Sequence, residues 1–402
     1  MQNNCITISL DLPEFMVERV QETEHHIEIW VRKSSLIALC PQCGHPTDAI
    51  HDERIDDVWH LPIGTKGVRL WVTKRRFWCV NPECEQRQPF TERFESLELG
   101  QHRTHALDHY IYRLAQRMSY TDVVKELASY HIPISDNTVR RVYQRLAQAE
   151  LEARQSCATL VIGLDEFSLR KQHTYGTIIT DLQRRRVVSA FEKRDKETVV
   201  RHLEQLPHRE AIQAVVIDMS ASFRSAVEEA LPGRAVVADK FHVVARVIQA
   251  LDEVRKRVQK AKPKGQKRMV FRLRYRLRRG REKLKPEERE ALNALLEQEP
   301  ELRRAYELKE AFRSWYELED RAEAERKLKA WCDQALASGL LEMVEVVKTL
   351  RNWWKEILSY FTWRYTNGFS EGKNNQIKVL KRQAYGYRDF EHFRLRILTL
   401  AA

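Results

Sequence analysis

The chain has 402 residues, enough for two or three domains and a substantial buried core. Lys and Arg number 69 against 57 Asp and Glu, which gives a formal net charge of +12 and favours a polyanionic partner. No apolar run has the length of a membrane span, and the N-terminal "MQNNCITISLDLPEF" lacks the pattern of an export signal. We therefore expect a soluble, cytoplasmic protein without disulfides.

Four cysteines in the first hundred residues form two close pairs, "CPQCG" and "CVNPEC". They are Cys40, Cys43, Cys79 and Cys84. Such pairs are typical of a structural zinc ribbon, in which four thiolates bind the ion in a site too closed for catalysis. His45, His51 and His60 are alternative ligands. Short strands and turns are predicted around a metal that supplies folding free energy, and "KRR" (Lys74, Arg75 and Arg76) is expected to form a basic edge.

From about residue 104 the pattern becomes helical and predicts three helices. The second and third are joined by "HIPI", with Ser135 as the predicted N-cap, which is the layout of a helix-turn-helix. The inward residues of the third helix are Val139, Val142, Tyr143 and Leu146. The side chains predicted to face out and contact DNA are Asn137, Arg140, Arg141 and Gln144. The alternative is an ordinary helical hairpin between two domains.

Three continuous apolar runs each lead into an aspartate. They are "TLVIGLDEF" with Asp165, "AVVIDMS" with Asp218 and "RAVVADKFH" with Asp239. Such runs are typical of strands buried on both faces. With the intervening hairpin and helices, the predicted order is strand, strand, strand, helix, strand, helix, strand. This is the ribonuclease H-like order, in which the first and fourth strands are neighbours in a mixed sheet.

Asp165 and Asp218 are expected to converge, because ligands of open α/β sheets lie at the carboxyl ends of strands. Two carboxylates on apolar strands repel each other and are poorly solvated, so a cation is needed to neutralise them. Oxygen ligands with room for water suit Mg²⁺ or Mn²⁺. The alternative for any single aspartate is a turn or cap residue.

The long segment between Asp239 and Glu371 has a helical pattern and is predicted to be an all-α insertion. Between Arg255 and Lys285 it is strongly basic, and Glu282 is the sole acid. Interleaved Phe271, Leu273, Tyr275 and Leu277 favour an ordered, phosphate-contacting segment over a solvated charge run. For Trp353, Trp354 and Trp363 the spacing favours core packing over stacking on an unpaired base.

The stretch "FSEGKNNQIKVLKR" predicts a helix with one acid, Glu371, in its first turn and cations after it. On a helical wheel, a broad polar face contains Glu371, Asn374, Asn375, Lys378, Lys381 and Arg382. By itself this pattern indicates a capped surface helix, since an acid at the N-terminus suits the helix dipole.

Over nearly its whole length, the chain resembles the DDE transposases of bacterial insertion sequences, of the ISL-three type with an N-terminal zinc ribbon. The matching stretches are "CPQCG", "RRFWCVNPEC", "GLDEFSLRKQHTYGTIITDL", "VIDMSASFRSAVEEALPGRAVVADKFHVV" and "SEGKNNQIKVLKRQAYGYRDFEHFRLRIL". The resemblance implies a catalytic triad of Asp165, Asp218 and Glu371 that holds two Mg²⁺ or Mn²⁺ ions, with Asp165 as the bridge.

"DKFH" resembles the Asp/Cys-x-x-His element of these enzymes and gives Asp239 and His242 supporting roles around the metal ligands. His242 has the alternative of a packed residue at a helix start. Asp239 is the alternative second acid, but Asp218 is preferred because it ends the fourth strand. Glu166 is expected to support the site or lie on the surface.

The implied activity is cleavage of element ends at terminal inverted repeats, followed by direct transfer of the freed 3'-OH to target DNA. The implied partners are double-stranded DNA and a second copy of the chain, in the bacterial cytoplasm at the nucleoid. No nucleotide cofactor is expected, because no Gly-rich phosphate loop is present. Phosphate-facing side chains are expected at Asn374, Asn375, Lys378, Lys381 and Arg382.

The predicted fold class is therefore multidomain α+β, with a ribonuclease H-like mixed sheet interrupted by an all-α insertion. The predicted domains are the ribbon (1–98), the helix-turn-helix (99–152), the catalytic domain (157–248), the basic insertion (249–360) and the C-terminal catalytic helices (361–402). Two alternatives have different activities. One is a non-catalytic DNA-binding repressor or a domesticated relative, and the other is a structure-selective nuclease of the same fold.

Overall fold

The computed structural model describes residues 10–155, 158–170, 174–384, 387 and 389–400. The chain divides into two compact units with the main boundary between Glu152 and Ala153. Residues 382–384 also group with unit 1, and Tyr387 and residues 389–400 group with unit 2. Within the described ranges, no helix combines the length and the apolar character needed to cross a membrane.

Unit 1 contains a five-stranded sheet and a small two-stranded one. The strands are β1 Phe15–Glu22, β2 His26–Lys33, β3 Ala38–Leu39, β4 Pro46–Thr47, β5 Ile50–Ile63, β6 Lys66–Phe77 and β7 Phe90–Thr91. The larger sheet has the order β1-β2-β6-β5, with β7 on the far end of β6. Strands β2 and β6 are parallel, and the other pairs are antiparallel.

The prediction of short strands around the cysteines was wrong for this sheet. Strand β5 has 14 residues and β6 has 12. In β6, Val68, Leu70 and Val72 point into a hydrophobic core while Arg69 and Thr73 lie on the other face, which is the alternation of a strand with one buried face. A core of this kind stabilises unit 1 in addition to any metal.

The expectation of a basic edge at Lys74, Arg75 and Arg76 was also wrong. Each of the three cations forms an ion pair with an acid on a neighbouring strand or loop. Lys74 Nζ lies 2.8 Å from Asp56 Oδ2, and both Lys74 and Arg75 are almost fully buried. Buried cations require such partners, so this cluster serves the fold of unit 1.

The described part of unit 1 also contains helices α1 His105–Ala115 and α2 Tyr120–Ser129 and most of helix α3 Asp136–Gln155, which extends past the boundary at Glu152. The predicted cap is confirmed, because Ser135 Oγ accepts a hydrogen bond from the Thr138 backbone N–H at 3.2 Å. Val139, Val142 and Tyr143 are buried as predicted, and Leu146 is half-buried.

Unit 2 is built on a second five-stranded sheet. Its strands are β8 Val161–Arg170, β9 Thr174–Asp181, β10 Arg186–Glu192, β11 Ala214–Ile217 and β12 Ala235–Ala238. Helix α4 Lys196–Glu204 follows β10, and helix α5 Ala221–Ala230 follows β11. The sheet order is β10-β9-β8-β11-β12, in which β8, β11 and β12 run parallel and β9 runs antiparallel to both its neighbours. The predicted succession and the pairing of the first strand with the fourth are confirmed.

The remaining chain of unit 2 is helical. The helices are α6 Lys240–Ala261, α7 Lys264–Arg272, α8 Arg274–Arg278, α9 Pro286–Gln298, α10 Pro300–Trp315, α11 Arg321–Ala337, α12 Leu341–Asn352, α13 Trp354–Trp363, α14 Gly368–Gln383 and α15 Phe390–Leu398. The core of the helical region is continuous with that of the sheet, and α13 packs against β12. Trp353 is buried, which confirms core packing for this residue.

Candidate active site

Three aspartates occupy equivalent positions on three adjacent parallel strands. Gly163 of β8 pairs with Val216 of β11, and Val216 pairs with Val237 of β12. Asp165, Asp218 and Asp239 each lie two residues after one of these paired positions and are here called the aspartate row. Because side chains alternate along a strand, the three carboxylates share one face at the same edge of the sheet.

The position of Asp165 differs from its prediction in one respect. It lies inside β8 and not at its end, because β8 continues to Arg170 as the partner of β9. Only the pairing with β11 stops before Asp165. The row therefore lies just beyond the point where the pairing of β8 with β11 ends.

Desolvation dominates the electrostatics of the row. Burial raises the pKa of Asp165 to about 6, and the Asp218 and Asp239 charges also raise it, while a hydrogen bond from the Glu166 backbone N–H lowers it. Burial likewise raises the pKa values of Asp218 and Asp239. Asp218 Oδ1 is buried without a hydrogen-bond partner among the described residues. A positive charge near these carboxylates would stabilise their ionised forms, and within the described residues His242 is the nearby group that lowers all three pKa values.

Helix α14 docks over Gly163, at the base of the row. A side chain there would place its Cβ 2.3 Å from Asn367 Oδ1 and 3.0 Å from Ser370 Oγ. The Asn367 side chain donates to the Leu164 carbonyl at 2.8 Å, and its backbone N–H donates to Asp239 Oδ1 at 3.0 Å. Asn367 thereby joins the start of α14 to β8 and to the residue after β12.

This docking determines the position of Glu371. Its backbone N–H donates to the Asn367 carbonyl at 2.9 Å, and its side chain is exposed. The Glu371 charge is among the causes that raise the pKa of Asp239, so Glu371 lies near the row. Asp165 and Asp218 are in the row itself, and Glu371 is in the first turn of the helix that docks at its base.

Asn374 has a different environment from the one the helical wheel predicts. It is 93% buried, and its Nδ2 donates to Asp165 Oδ2 at 2.9 Å and to the Glu166 carbonyl at 3.0 Å. The wheel placed Asn374 in a phosphate-facing row, because a wheel cannot show which edge of the polar face packs against β8. The sequence feature that could have indicated this contact is the pair of adjacent asparagines, Asn374 and Asn375, one turn after Glu371.

His242 and Glu166 both affect the pKa values of the row, in opposite directions. His242 Nε2 is 4.0 Å from Asp239 Oδ2, and its positive charge would lower the pKa of every aspartate in the row. Glu166 accepts a hydrogen bond from Arg194 at 2.6 Å, and its charge raises the pKa of Asp218.

The four cysteines of unit 1 also come together. Their sulfur atoms lie within 4.8 Å of one another, with Cys40 and Cys84 separated by 3.8 Å and Cys43 and Cys79 by 3.7 Å. A tetrahedral ion with Zn–S bonds of about 2.3 Å requires sulfur atoms about 3.8 Å apart, so the cluster fits structural zinc. His60 is buried between Thr104 and the Leu10 carbonyl and is not part of the cluster.

Sequence comparisons agree with both sites. The profile of the ISL3-type DDE family, described as transposase, matches residues 162–397, and that of the zinc-finger of transposase IS204/IS1001/IS1096/IS1165 matches residues 38–85. The transposase for insertion sequence element IS1001 of Bordetella parapertussis is 30% identical over 389 residues, covering 95% of this chain and 94% of the relative. The chain belongs to the ISL3-type family of DDE transposases.

A second relative is the transposase for insertion sequence element IS1557 of Mycobacterium tuberculosis. It is 28% identical over 266 residues, which is 60% of each chain. The protein is therefore a DDE-type DNA transposase of a bacterial insertion sequence, and the zinc-finger match contains all four clustered cysteines.

The predicted DNA-facing side chains of the transposase fall into two groups. On α3, the exposed residues are Asn137, Arg140, Arg141 and Gln144. On α14, the residues Glu371, Asn375, Lys378 and Arg382 follow at intervals of four, three and four and form one exposed stripe. Lys381 differs, because its Nζ donates to the Leu169 carbonyl at 2.5 Å and is held against β8.

Proposed function

We propose that the transposase cuts and joins DNA at the aspartate row, with Asp165, Asp218 and Glu371 as the ligands of two Mg²⁺ or Mn²⁺ ions. The observation that carries this proposal is the strand register, which aligns buried acids on three neighbouring strands. Their raised pKa values and the unpartnered Asp218 Oδ1 fit a site completed by cations.

When bound, two such ions activate the attacking oxygen and stabilise the leaving oxygen of a phosphodiester displacement. Asp165, on the central strand, would contribute to holding both ions, and Asn374 would fix its orientation through the hydrogen bond to Oδ2. Asp239 already accepts a hydrogen bond from the Asn367 N–H, whereas Asp218 retains an unpartnered oxygen. This contrast favours Asp218 as the second ligand and Asp239 with His242 as supporting residues.

We further propose that the sheet of unit 2 has the ribonuclease H-like fold. The sheet order β10-β9-β8-β11-β12 supports this assignment, because the first and fourth strands of the unit are parallel neighbours. The helices from α6 to α13 would then be an insertion between the second and third acids, close to the predicted bounds of 249–360.

Recognition of the terminal inverted repeats is assigned to unit 1. Helices α2 and α3 are proposed to form a helix-turn-helix, since their connection and cap match that layout and α3 presents exposed polar and basic side chains. Asn375, Lys378 and Arg382 are proposed to contact phosphates near the cut site. A homodimer that holds two element ends is the proposed assembly, located with the bacterial nucleoid.

In the proposed reaction, water first cleaves the element end, and the freed 3'-OH then attacks target DNA at the same row. The second step exchanges one phosphodiester for another, so it needs no nucleotide to supply energy. The side chains of Asp165 and Asn374 would keep the same arrangement in both steps.

The test is end cleavage and strand transfer by the Asp165→Asn variant on DNA that carries the element ends, with Mg²⁺ present. The matched control is Asp333→Asn, which removes an exposed acid from α11. We expect the first variant to lose activity by about a thousandfold or more and the second to keep it. Undiminished cleavage by Asp165→Asn would overturn the proposed site, and cleavage without strand transfer in the wild type would indicate a nuclease.

A further inference from the structure

The helical region carries an exposed aromatic pair that the proposed active site does not use. Phe271, in the last turn of α7, is 47% exposed, and Tyr275, in α8, is 60% exposed. Large aromatic side chains are normally buried because exposure costs the free energy of apolar transfer. Here the neighbouring Val270, Leu273 and Leu277 are buried, so the segment is anchored while the two rings face outwards.

A single arginine fixes the pair. The Arg274 guanidinium lies 3.9 Å from the centre of the Phe271 ring and 4.2 Å from that of Tyr275. It also donates to the Phe271 carbonyl and to the Tyr275 hydroxyl, each at 3.1 Å. The three side chains, here called the aromatic platform, are thus held in place before any partner binds.

The surroundings of the platform are strongly cationic. The sequence from Val254 to Arg281 contains no acid. Three arginines that follow the platform have acidic neighbours: Arg276 and Arg279 share Glu288, and Arg278 faces Asp252. Four other cations form no ion pair within the described ranges: Lys264, Lys267 and Arg268, which precede the platform, and Arg272, which lies between Phe271 and Arg274.

We propose that the aromatic platform binds unpaired bases of DNA. The inference rests on the proposed function, since a cut or opened element end supplies such bases. The free cations would neutralise backbone phosphates, and the rings would stack on bases whose faces are exposed only outside a duplex. A second copy of this chain fits less well, because it would bring the same positive segment.

The test is DNA binding by the full chain without added Mg²⁺ or Mn²⁺, so that cleavage is not required. The probes are a paired duplex and the same duplex with an internal mismatched stretch that contains 2-aminopurine. For Phe271→Ala/Tyr275→Ala we expect about a tenfold weaker affinity for the mismatched probe, an unchanged affinity for the duplex and loss of 2-aminopurine quenching.

Three further variants control the interpretation. Phe271→Trp/Tyr275→Trp should retain the preference for the mismatched probe. Arg272→Ala should weaken binding of both probes equally and reduce the salt dependence. Leu341→Ala, which shortens an exposed apolar side chain on α12, should change neither affinity.

An equal loss on both probes, or no loss, in the alanine double variant would overturn the platform. A shift of that variant towards smaller oligomers with unchanged DNA affinities would assign the rings to an interface between copies and would also overturn it. If the wild type bound neither probe, the proposed DNA function itself would fail. If the wild type bound mismatched DNA through the platform but did not cleave, only the proposed chemistry would fail.

Discussion

The four cysteine sulfur atoms of unit 1 lie at the spacing that a metal requires, whereas the acidic side chains at the sheet edge of unit 2 do not. All four sulfur atoms fall within 4.8 Å of one another. Among the described residues, the carboxylates of the aspartate row and Glu371 form no set as tight. Both groups consist of metal-binding residue types, so the difference lies in how the chain assembles them.

The cysteine cluster is built from short-range structure. Two turns each carry two ligands, and the small hairpin of β3 and β4 adjoins the first. Thiols are weakly solvated when neutral, so they approach one another at little cost. The carboxylates come from distant parts of the chain. Burial is the main cause of their raised pKa values, and repulsion between their charges adds to it, so bringing them together costs free energy. A structural site can therefore form completely, whereas a carboxylate site stays open for its ligands.

The largest effect is expected from removal of a cysteine ligand. Cys84→Ser should lose bound zinc and destabilise the cysteine segment by about 5 kcal/mol or more, because metal binding contributes folding free energy. Zinc content by mass spectrometry and thermal unfolding would measure both changes. The control is Cys332→Ser, a buried cysteine of α11 that should keep the zinc. Retained zinc in Cys84→Ser would contradict the four-sulfur site.

The sheet of unit 1 sharpens this prediction. The core around Val58, Leu70 and Val72 does not involve the cysteines. The zinc-free variant should therefore keep the β-sheet signal in circular dichroism, although the cysteine segment loosens. Complete unfolding of unit 1 would show that this core does not fold without the metal, which is the dependence that the sequence predicted.

The two sites also differ in how much of them the sequence reveals. The cysteine pairs are readable because ligand spacing within a turn is a local property. The order of elements in unit 2, and the neighbouring positions of β8 and β11, follow from apolar runs and helical periods. The long strand β5 was not predicted because it is rich in polar residues. Some of them form ion pairs across the sheet, as Asp52 does with Arg76 of β6, and the period of apolar residues cannot show such pairs.

Tertiary contacts account for the other differences. The sequence predicted that Lys74 and Arg75 form a basic surface. Their acidic partners, Asp56 and Glu92, are about 17 residues away in sequence, so a local pattern does not reveal the ion pairs. Asn374 reads as solvent-facing, but helix α14 turns that edge towards β8. A sequence gives the direction of a side chain on its own helix and not the surface that the helix meets.

The next effect concerns the pH dependence of stability in buffer without added Mg²⁺ or Mn²⁺. Burial raises the pKa of Asp165 to about 6 in the folded protein, above its unfolded value. The folded state therefore keeps the Asp165 proton to a higher pH than the unfolded state does, so the contribution of Asp165 to the free energy of unfolding should fall by about 2 to 3 kcal/mol as the pH rises from about 4 to 6. Urea unfolding across this range would measure the slope.

The Asp165→Asn variant is the control for that slope. It cannot ionise, so its stability should fall less between pH 4 and 6 and should exceed that of the wild type near pH 7. Added Mg²⁺ should stabilise the wild type at pH 7 and have less effect on the variant. Identical slopes would mean that the row does not carry the electrostatic strain that distinguishes it from the cysteine cluster.

A smaller effect is expected from Gly163→Ala, which tests how α14 docks at the row. The new Cβ would lie 2.3 Å from Asn367 Oδ1 and 2.9 Å from Thr180 Oγ1, so α14 or its contacts must shift. We expect a loss of about 2 kcal/mol in the free energy of unfolding and reduced cleavage. Gly372→Ala is the control on the same helix, with no atom within 4 Å of its Cβ, and should stabilise by about 0.5 to 1 kcal/mol.

The smallest effect is expected from substitution of Asn374, with its neighbour Asn375 as the control. The comparison tests whether the aspartate row needs neighbouring side chains to orient it, which the cysteine cluster does not. Asn374→Ala would remove the donor to Asp165 Oδ2 and the Glu166 carbonyl and leave both without this bond. A loss of about 1 to 2 kcal/mol in stability follows from such an unpaired group. Cleavage should fall by about tenfold, with a higher Mg²⁺ requirement, because Asp165 is less well oriented.

Asn375→Ala, on the exposed stripe, should leave the thermal midpoint and the Mg²⁺ requirement unchanged. Equal Mg²⁺ requirements for the two variants would show that the carboxylates of the row orient themselves.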